Sequence, residues 1–405
     1  MWEKVSKLKS RYPDNFDYGM YDRLHERFGL QQPRGGVVFK GSLKLLESKD
    51  CDKCFYRFEV DTYGRGCIHN CAYCYAKAYL HQRKYWNEPM PFPIDISEIR
   101  KTFATVFESD RHHKLRSVLE QRIPLRIGSM SDSFMWMDKK YKVTLELLKI
   151  LKFYDYPYIV FTRSDLIAED EYAAQLDPML ASIQMSISSI NEELTKKIEP
   201  GAPSPARRLR ALEKLAKSGF YTTVRINPLF PIYPDGYYTD PNFDRSKKID
   251  PFPFFSWDMI PAIAQHKVDT VLVGVVRLYM HNLRFLSQAL GFNFKDRFSG
   301  STRMERAALH YSESETAFYY TKARDLCKQQ GLRFSTCYIG NDTSGESFYK
   351  YQSLWSNKDD CCDALGNVRG FTRTCANLSK PSPRVPTDFV FPNTTIPSVN
   401  ERSLV

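Results

Sequence analysis

Three cysteines stand close together in the stretch Gly64-Arg-Gly-Cys67-Ile-His-Asn-Cys71-Ala-Tyr-Cys74-Tyr75-Ala76. Their spacing is CxxxCxxC. Thiolates are soft ligands that suit iron–sulfur clusters and zinc alike. Three of them from one short loop can bind three irons of a 4Fe–4S cube, and the fourth iron is then free to bind something else. A closed structural zinc site would want a fourth ligand. His69 is the nearest one, but it lies inside the loop, where chelating the same ion would strain the chain. Glycines and aromatics surround the three thiols, and a β-rich run precedes them. That setting separates them from unrelated cysteines.

The remaining cysteines form a looser pattern. Cys51 and Cys54 make a CxxC just before the first β-rich run. Cys327 falls inside a helical pattern and reads as core. Cys337, Cys361, Cys362 and Cys375 could assemble an auxiliary site for a second Fe–S cluster or zinc. So could Cys51 and Cys54 joined to two of the late four, and scattered thiols are the other reading. The adjacent pair Cys361 and Cys362, in a polar stretch rich in Asp and Asn, is hard to explain as core packing.

The elements that must position this chemistry alternate along the chain. Short runs rich in Val, Ile, Phe or Leu predict strands over 55–61, 124–130, 158–163, 182–188, 222–229, 270–276 and 333–339. Helical spacing predicts helices over 141–154, 205–218 and 315–330. The second of these has Pro205 near its start, Leu209, Leu212 and Leu215 on one side, and Gly219 just past its end. Strand–helix alternation implies a parallel sheet, open or closed into a barrel. The stretch 229–255, dense in Pro, Tyr, Phe and Asp, reads as a long loop after a strand. In a parallel barrel such loops commonly help build the active site. The residues after 376 lack periodicity and read as a flexible tail or a surface strap.

Several stretches together make the chain resemble the radical S-adenosylmethionine (SAM) superfamily, in its spore photoproduct lyase-like branch. The cysteine loop runs on as CAYCYAKAYL. Ile127-Gly-Ser-Met-Ser131-Asp132 follows the second strand, and Phe161-Thr-Arg163-Ser164 the third. Met185-Ser-Ile-Ser188 and then Ile198-Glu199-Pro200 through Arg207-Arg208-Leu209 follow the fourth, and Arg225-Ile226-Asn227-Pro228 the fifth. The order and spacing agree over roughly residues 55–280.

The resemblance implies an α/β fold, a partial (β/α)6-type barrel with the cluster above its strand ends. It gives residues 55–340 to the barrel, 1–54 to an N-terminal extension and 341–405 to a cysteine-bearing C-terminal extension. It implies Cys67, Cys71 and Cys74 as 4Fe–4S ligands, with SAM chelated to the open iron. An electron from a reductant such as flavodoxin or ferredoxin would then cleave SAM to a 5′-deoxyadenosyl radical that abstracts hydrogen from substrate. Tyr73 and Tyr75 would line the SAM site, ordinary loop packing being their alternative. Ser131 and Asp132 would meet its amino group or ribose, and Ser188 and Asn227 its ribose or carboxylate. Arg163 stands where the branch usually has lysine, and its guanidinium can still hold a carboxylate. A local cap or turn is the alternative role for each of these single residues. Spore photoproduct lyase is thought to use a cysteine hydrogen donor immediately before the serine matching Ser131. Met130 stands there and has no thiol hydrogen to give.

Composition narrows the class. The 405 residues are 42% hydrophobic and 14% aromatic, enough for a sizeable core. No stretch approaches the roughly 20 apolar residues of a membrane helix. The polar start lacks the apolar run of a secretory signal, so a cytoplasmic enzyme with reduced thiols is expected. The net charge of +11 favours a polyanionic partner. Basic runs at Arg111–Arg116, Lys196–Lys197 and Arg207–Arg210 read as solvated helix faces or as a phosphate-contacting rim. Three functions follow. The first is a radical SAM enzyme acting on a nucleic acid base or nucleotide. The second is one acting on a peptide or small metabolite with an auxiliary cluster. The third is a non-catalytic, zinc-stabilised binding protein.

Overall fold

The computed structural model describes residues 43–45, 56, 58–82, 86, 91–230, 256–291, 293–297, 303–305, 308–311, 313–337 and 351–371. Residues 231–255 of the loop expected over 229–255, the tail after 376, and Cys51, Cys54 and Cys375 lie outside these residues, while Leu229 ends a strand.

One eight-stranded sheet organises the chain. Its strands are β1 (Lys44–Leu45), β2 (Phe58–Val60), β3 (Leu125–Ile127), β4 (Tyr158–Thr162), β5 (Ala181–Ser186), β6 (Tyr221–Leu229), β7 (Thr270–Val275) and β8 (Arg333–Thr336). β1 is antiparallel to β2. From β2 to β8 every neighbouring pair is parallel. Order in space repeats order in sequence. A doubly wound sheet would reverse that order at a switch point; this one does not. With right-handed crossovers, an order that never reverses puts every connection on one face and leaves the other as an interior. Among the described residues no ladder joins β8 to β1, so the sheet is a partial barrel.

The helices used below are α1 (Tyr75–Gln82), α2 (Ile96–Phe107), α3 (Val143–Phe153), α4 (Glu192–Ile198), α5 (Pro205–Lys217), α6 (Met280–Leu290) and α7 (Glu313–Gln329). Their ends follow local chemistry. The Ser204 hydroxyl accepts the Arg207 amide at the start of α5, and Pro205 opens its first turn. Asn191 caps α4, with Glu192 and Glu193 in the first turn and Lys196 and Lys197 in the last, matching the helix dipole. No helix among the described residues is long and apolar enough to cross a membrane.

Strand alternation gives the two faces different company. Val60, Ile127, Val160, Ile183 and Val224 share the apolar face and are all buried. The interior face is polar. Ser182, Gln184 and Ser186 of β5 stand beside Tyr221, Thr223 and Arg225 of β6. Thr270 and Leu272 of β7, then Arg333 and Ser335 of β8, continue that face.

Polar groups facing inward need partners, and residues 351–371 supply many of them. The Ser335 hydroxyl donates to the Cys361 carbonyl at 2.6 Å, and Gln184 Nε2 to the Cys362 carbonyl at 3.2 Å. The Tyr56 hydroxyl donates to Asp360 at 2.6 Å. Asp363 is buried and accepts the Tyr221 hydroxyl at 2.8 Å, the Thr270 hydroxyl at 2.8 Å and Arg333 Nε at 2.6 Å. Because Tyr221, Thr270 and Arg333 begin their strands, this segment seals the N-terminal end of the sheet's interior. Asp363→Ala strips three donors of one acceptor, and a destabilisation on the order of 3 kcal/mol is expected. Urea unfolding checks this; an unchanged midpoint would contradict the sealing role.

Candidate active site

The cysteine loop follows β2, at the end of the sheet opposite the seal. Backbone turns shape it: Asn70 N donates to the Cys67 carbonyl at 3.1 Å and Cys74 N to the Cys71 carbonyl at 3.2 Å. α1 begins at the next residue. The Lys77 amide points at Cys74 Sγ, 3.5 Å away, and Lys77 Nζ reaches Asn70 Oδ1 at 3.2 Å. From α6, Asn282 Nδ2 donates to the Cys74 carbonyl at 2.6 Å.

Burial pushes the Cys67 thiol up to about 12, with the charges of Asp132 and Cys74 adding to it. Burial also raises Cys71, and Cys74 and Cys67 oppose its ionisation against the pull of Arg163. The three sulfurs therefore feel one another. Yet they do not close on one point. Among the described residues only Asp360, Cys361 and Cys362 place three metal-ligating atoms within 4.8 Å of one another. His69 is already engaged: Nδ1 meets the Gly201 carbonyl and Nε2 the Asp132 carboxylate, each at 3.0 Å. The loop thus fits a cluster whose ligands hold separate irons better than a single zinc ion.

A second segment clamps this loop. Ala72 N donates to the Ile198 carbonyl at 2.8 Å, and Gly201 N to the His69 carbonyl at 3.1 Å. Residue 201 must be glycine, because a Cβ there would sit 1.8 Å from the Ile68 carbonyl oxygen. Between these contacts lies Glu199, fully buried. Its carboxylate takes the Tyr73 hydroxyl and Arg208 Nη2, with Arg163 Nε at 3.8 Å. Burial opposes its charge, but Arg208 and Arg163 outweigh that and hold it below the usual carboxylate value.

Two aspartates tie the loop to the strand ends. Asp132 accepts His69 Nε2 at 3.0 Å, the Phe134 amide at 2.9 Å, the Thr162 hydroxyl at 2.8 Å and the Arg163 amide at 2.6 Å. Burial works against its ionisation, yet His69 and these donors hold it low. One oxygen of Asp61 gathers the amides of Ser129, Met130 and Ser131 at 2.7, 3.0 and 3.3 Å.

The residues singled out from the sequence meet at this end of the sheet. Tyr73 is buried, and its hydroxyl lies 3.1 Å from the Ser188 hydroxyl. The Ser131 hydroxyl donates to the Tyr63 carbonyl. Asp132 is filled by the partners just named. Arg163 lies over the Tyr73 ring at 5.5 Å, and its buried Nε has no hydrogen-bond partner. Asn227 lies against Gly274, where a Cβ would be 2.7 Å from its side chain. Tyr75 donates to the Ser129 carbonyl at 2.5 Å. Tyr75 is 54% exposed, yet its hydroxyl is raised by burial and by Glu59 and Asp61, against Arg126.

Sequence reasoning assigned no role to Glu199, Arg208, Asp61 or Asn282. One signal was available: Arg208 stands four and seven residues before Leu212 and Leu215, on the apolar stripe of α5. It is 1% exposed, so the basic run 207–210 is no uniform rim. Arg116 is internal in purpose too, since it donates to the carbonyls of Thr105 and Val106 in the last turn of α2 and of Ser109 and Arg111 just beyond it.

Residues 62–237 match the family model of the radical SAM superfamily, so this span is a radical SAM domain. An uncharacterized protein of Mycobacterium tuberculosis is 24% identical over 180 residues, 44% of this chain and 50% of that one. One of Methanocaldococcus jannaschii is 26% identical over 170 residues, 41% of this chain and 58% of that one. The chain thus spans about half the length of the curated relatives it matches. A spore photoproduct lyase mutant, solved with AdoMet and dinucleoside spore photoproduct bound, aligns with a TM-score of 0.50 at 14% identity. The match covers 80% of this chain and 94% of that one. A second mutant of that lyase gives 0.50 at 16% identity, with 81% and 97% covered. The fold is shared.

Glu199→Gln keeps the shape and removes the charge, leaving Arg208 buried without its anion. A loss on the order of 3–5 kcal/mol in unfolding free energy is expected. Glu199 is held below the unfolded value of 4.5. Its contribution is therefore complete above that pH and lost as pH falls through the folded value. Denaturant unfolding of both proteins should show the gap closing only as the pH falls below 4.5; a gap constant with pH would contradict the pairing.

Proposed function

We propose that the chain is a radical SAM enzyme acting on a nucleic acid base or nucleotide, for repair or modification. The observation that carries the reading is the placement of Cys67, Cys71 and Cys74 in one clamped loop, beside Arg163, whose guanidinium lies over the Tyr73 ring. Cys67, Cys71 and Cys74 would hold a 4Fe–4S cluster, and when bound it would supply the reductive chemistry on SAM that leads to hydrogen abstraction from substrate.

The chain's own groups bind and orient. Arg163 would hold the SAM carboxylate, with its guanidinium aimed by the ion pair that Nε makes with Glu199. Tyr73 and Ser188, bonded to each other, would form the wall beside it. Ser131, held through Asp61, would stand towards the amino group. Asn227 would reach the ribose or carboxylate from β6. Asp132 serves by fixing His69 and the Arg163 backbone together, so that loop and strand end keep one register. Tyr75 would close the mouth. An external reductant such as flavodoxin or ferredoxin completes the partners.

Three features support the substrate class. The chain is strongly basic, at +11. Tyr75, Tyr79 and Trp136 are large exposed aromatics, and all belong to α1 or the segment after β3. Such rings offer stacking faces to bases. The spore photoproduct lyase that shares the fold was solved with a dinucleoside. Met130 has no S–H, so the proposed chemistry does not return a thiol hydrogen from that position.

Anaerobic reconstitution with dithionite and SAM should yield 5′-deoxyadenosine, and Cys71→Ala should abolish it. Absence of product despite a loaded cluster would overturn the enzyme reading. Gel shifts with DNA or RNA should weaken steeply with salt. Binding absent even at low ionic strength would transfer the reading to a peptide or small-metabolite substrate.

A further inference from the structure

The sealed end of the interior holds a second group of ligating atoms. One oxygen of Asp360 and the sulfurs of Cys361 and Cys362 all lie within 4.8 Å of one another, and all three residues are buried. Donors about 2.3 Å from a tetrahedral ion stand roughly 3.8 Å apart. This is single-ion spacing, unlike that of the cysteine loop.

The group is built rather than accidental. The carbonyl of Cys361 is held by Ser335 of β8, and that of Cys362 by Gln184 of β5. Asp360 Oδ2 accepts the Tyr56 hydroxyl and the amides of Ala364 and Leu365. Oδ1 accepts the Cys362 amide, at 2.9 Å, and an oxygen with two lone pairs keeps acceptor capacity beyond that bond. A carboxylate fixed through one oxygen and open at the other is a common form of metal ligand.

Charge points the same way. Arg225 is 7% exposed. Its Nη1 donates to Gln184 Oε1 at 2.5 Å, and Nη2 to Cys337 Sγ at 3.2 Å. Among the described residues no carboxylate pairs with it. Gln184 connects it directly to the Cys362 carbonyl. Two thiolates and a carboxylate around a divalent cation carry one net negative charge, which one guanidinium balances.

We propose that Asp360, Cys361 and Cys362 form a second metal site for a single thiophilic divalent cation of the zinc type, with Arg225 as its counter-charge. Cys337 belongs to the Arg225 side of this floor and is not a ligand. The site lies at the opposite end of the strands from Cys67, Cys71 and Cys74, and it does not rest on the SAM reading.

The test uses the full chain carrying Cys67→Ala, Cys71→Ala and Cys74→Ala, which removes the loop's thiols. Metal analysis after purification should find about one zinc per chain. Adding Cys361→Ser and Cys362→Ser should reduce it to background. The reduced, metal-stripped triple variant, titrated with Co2+, should develop sulfur-to-cobalt charge-transfer absorption that saturates at about one equivalent. That readout leaves the floor unchanged, so it decides even if the serine variants fail to fold. No zinc and no cobalt–sulfur absorption would overturn the proposal, as would metal retained in the serine variant.

Discussion

The candidate site depends on a buried negative charge. Glu199 sits where α4 ends, without contact with water, and three groups converge on it: Tyr73 from the cysteine loop, Arg208 from α5 and Arg163 from the end of β4. Without two guanidiniums the carboxylate would protonate; without the carboxylate, Arg208 would be an uncompensated cation at the core of the molecule. The backbone bonds on either side, Ala72 to Ile198 and Gly201 to His69, hold the loop only if that segment stays in place. The loop also buries Ile68, Ala72 and Tyr73 in the core. Hydrogen bonds and charge then fix its register, with Asp132 serving the same purpose from the other side.

The interior face of the sheet explains why so much charge is buried. A parallel strand covered on both sides normally reads as a continuous apolar run. β5 and β6 instead alternate, because one side meets helices and the other meets a polar interior. The cysteine loop occupies the C-terminal end of that interior and residues 351–371 the N-terminal end. Phe161 stands in the middle, with Arg225 at 4.4 Å and Arg126 at 5.7 Å from its ring. Its faces give these cations apolar contact at low cost in desolvation.

The expected strands were legible because each is short, rich in β-branched or aromatic residues, and bounded by polar turns. All seven occur, most ending one or two residues earlier than expected, as when 182–188 becomes Ala181–Ser186. The helix over 205–218 was legible from its proline, its leucines and its glycine. The cysteine loop was legible from spacing alone. What escaped were partners far apart in the chain. His69 and Asp132 are separated by 63 residues, and Tyr56 and Asp360 by 304. Nothing local marks either pair. The return of 351–371 into the sheet was equally hidden, since the segment has no strand or helix period and binds through side chains and carbonyls to residues far away in the chain. Cys361 and Cys362 looked like a site from composition, but their companion proved to be the adjacent Asp360, an ordinary polar residue in sequence.

Charge pairing divides the interior into settled and unsettled parts. Arg126 has Glu59, Arg163 and Arg208 share Glu199, and Arg333 has Asp363. Each of these cations is matched by a carboxylate built into a strand end, a helix end or the sealing segment. Arg225 alone among these interior arginines is answered only by an amide and a thiol. A guanidinium cannot shed its proton to escape burial. The groups beside it that can carry negative charge are thiols, and its other polar partner is the neutral Gln184 amide. A divalent ion held by Cys361, Cys362 and Asp360 would bring two thiolates and a carboxylate to this floor and leave the net negative charge that Arg225 otherwise lacks.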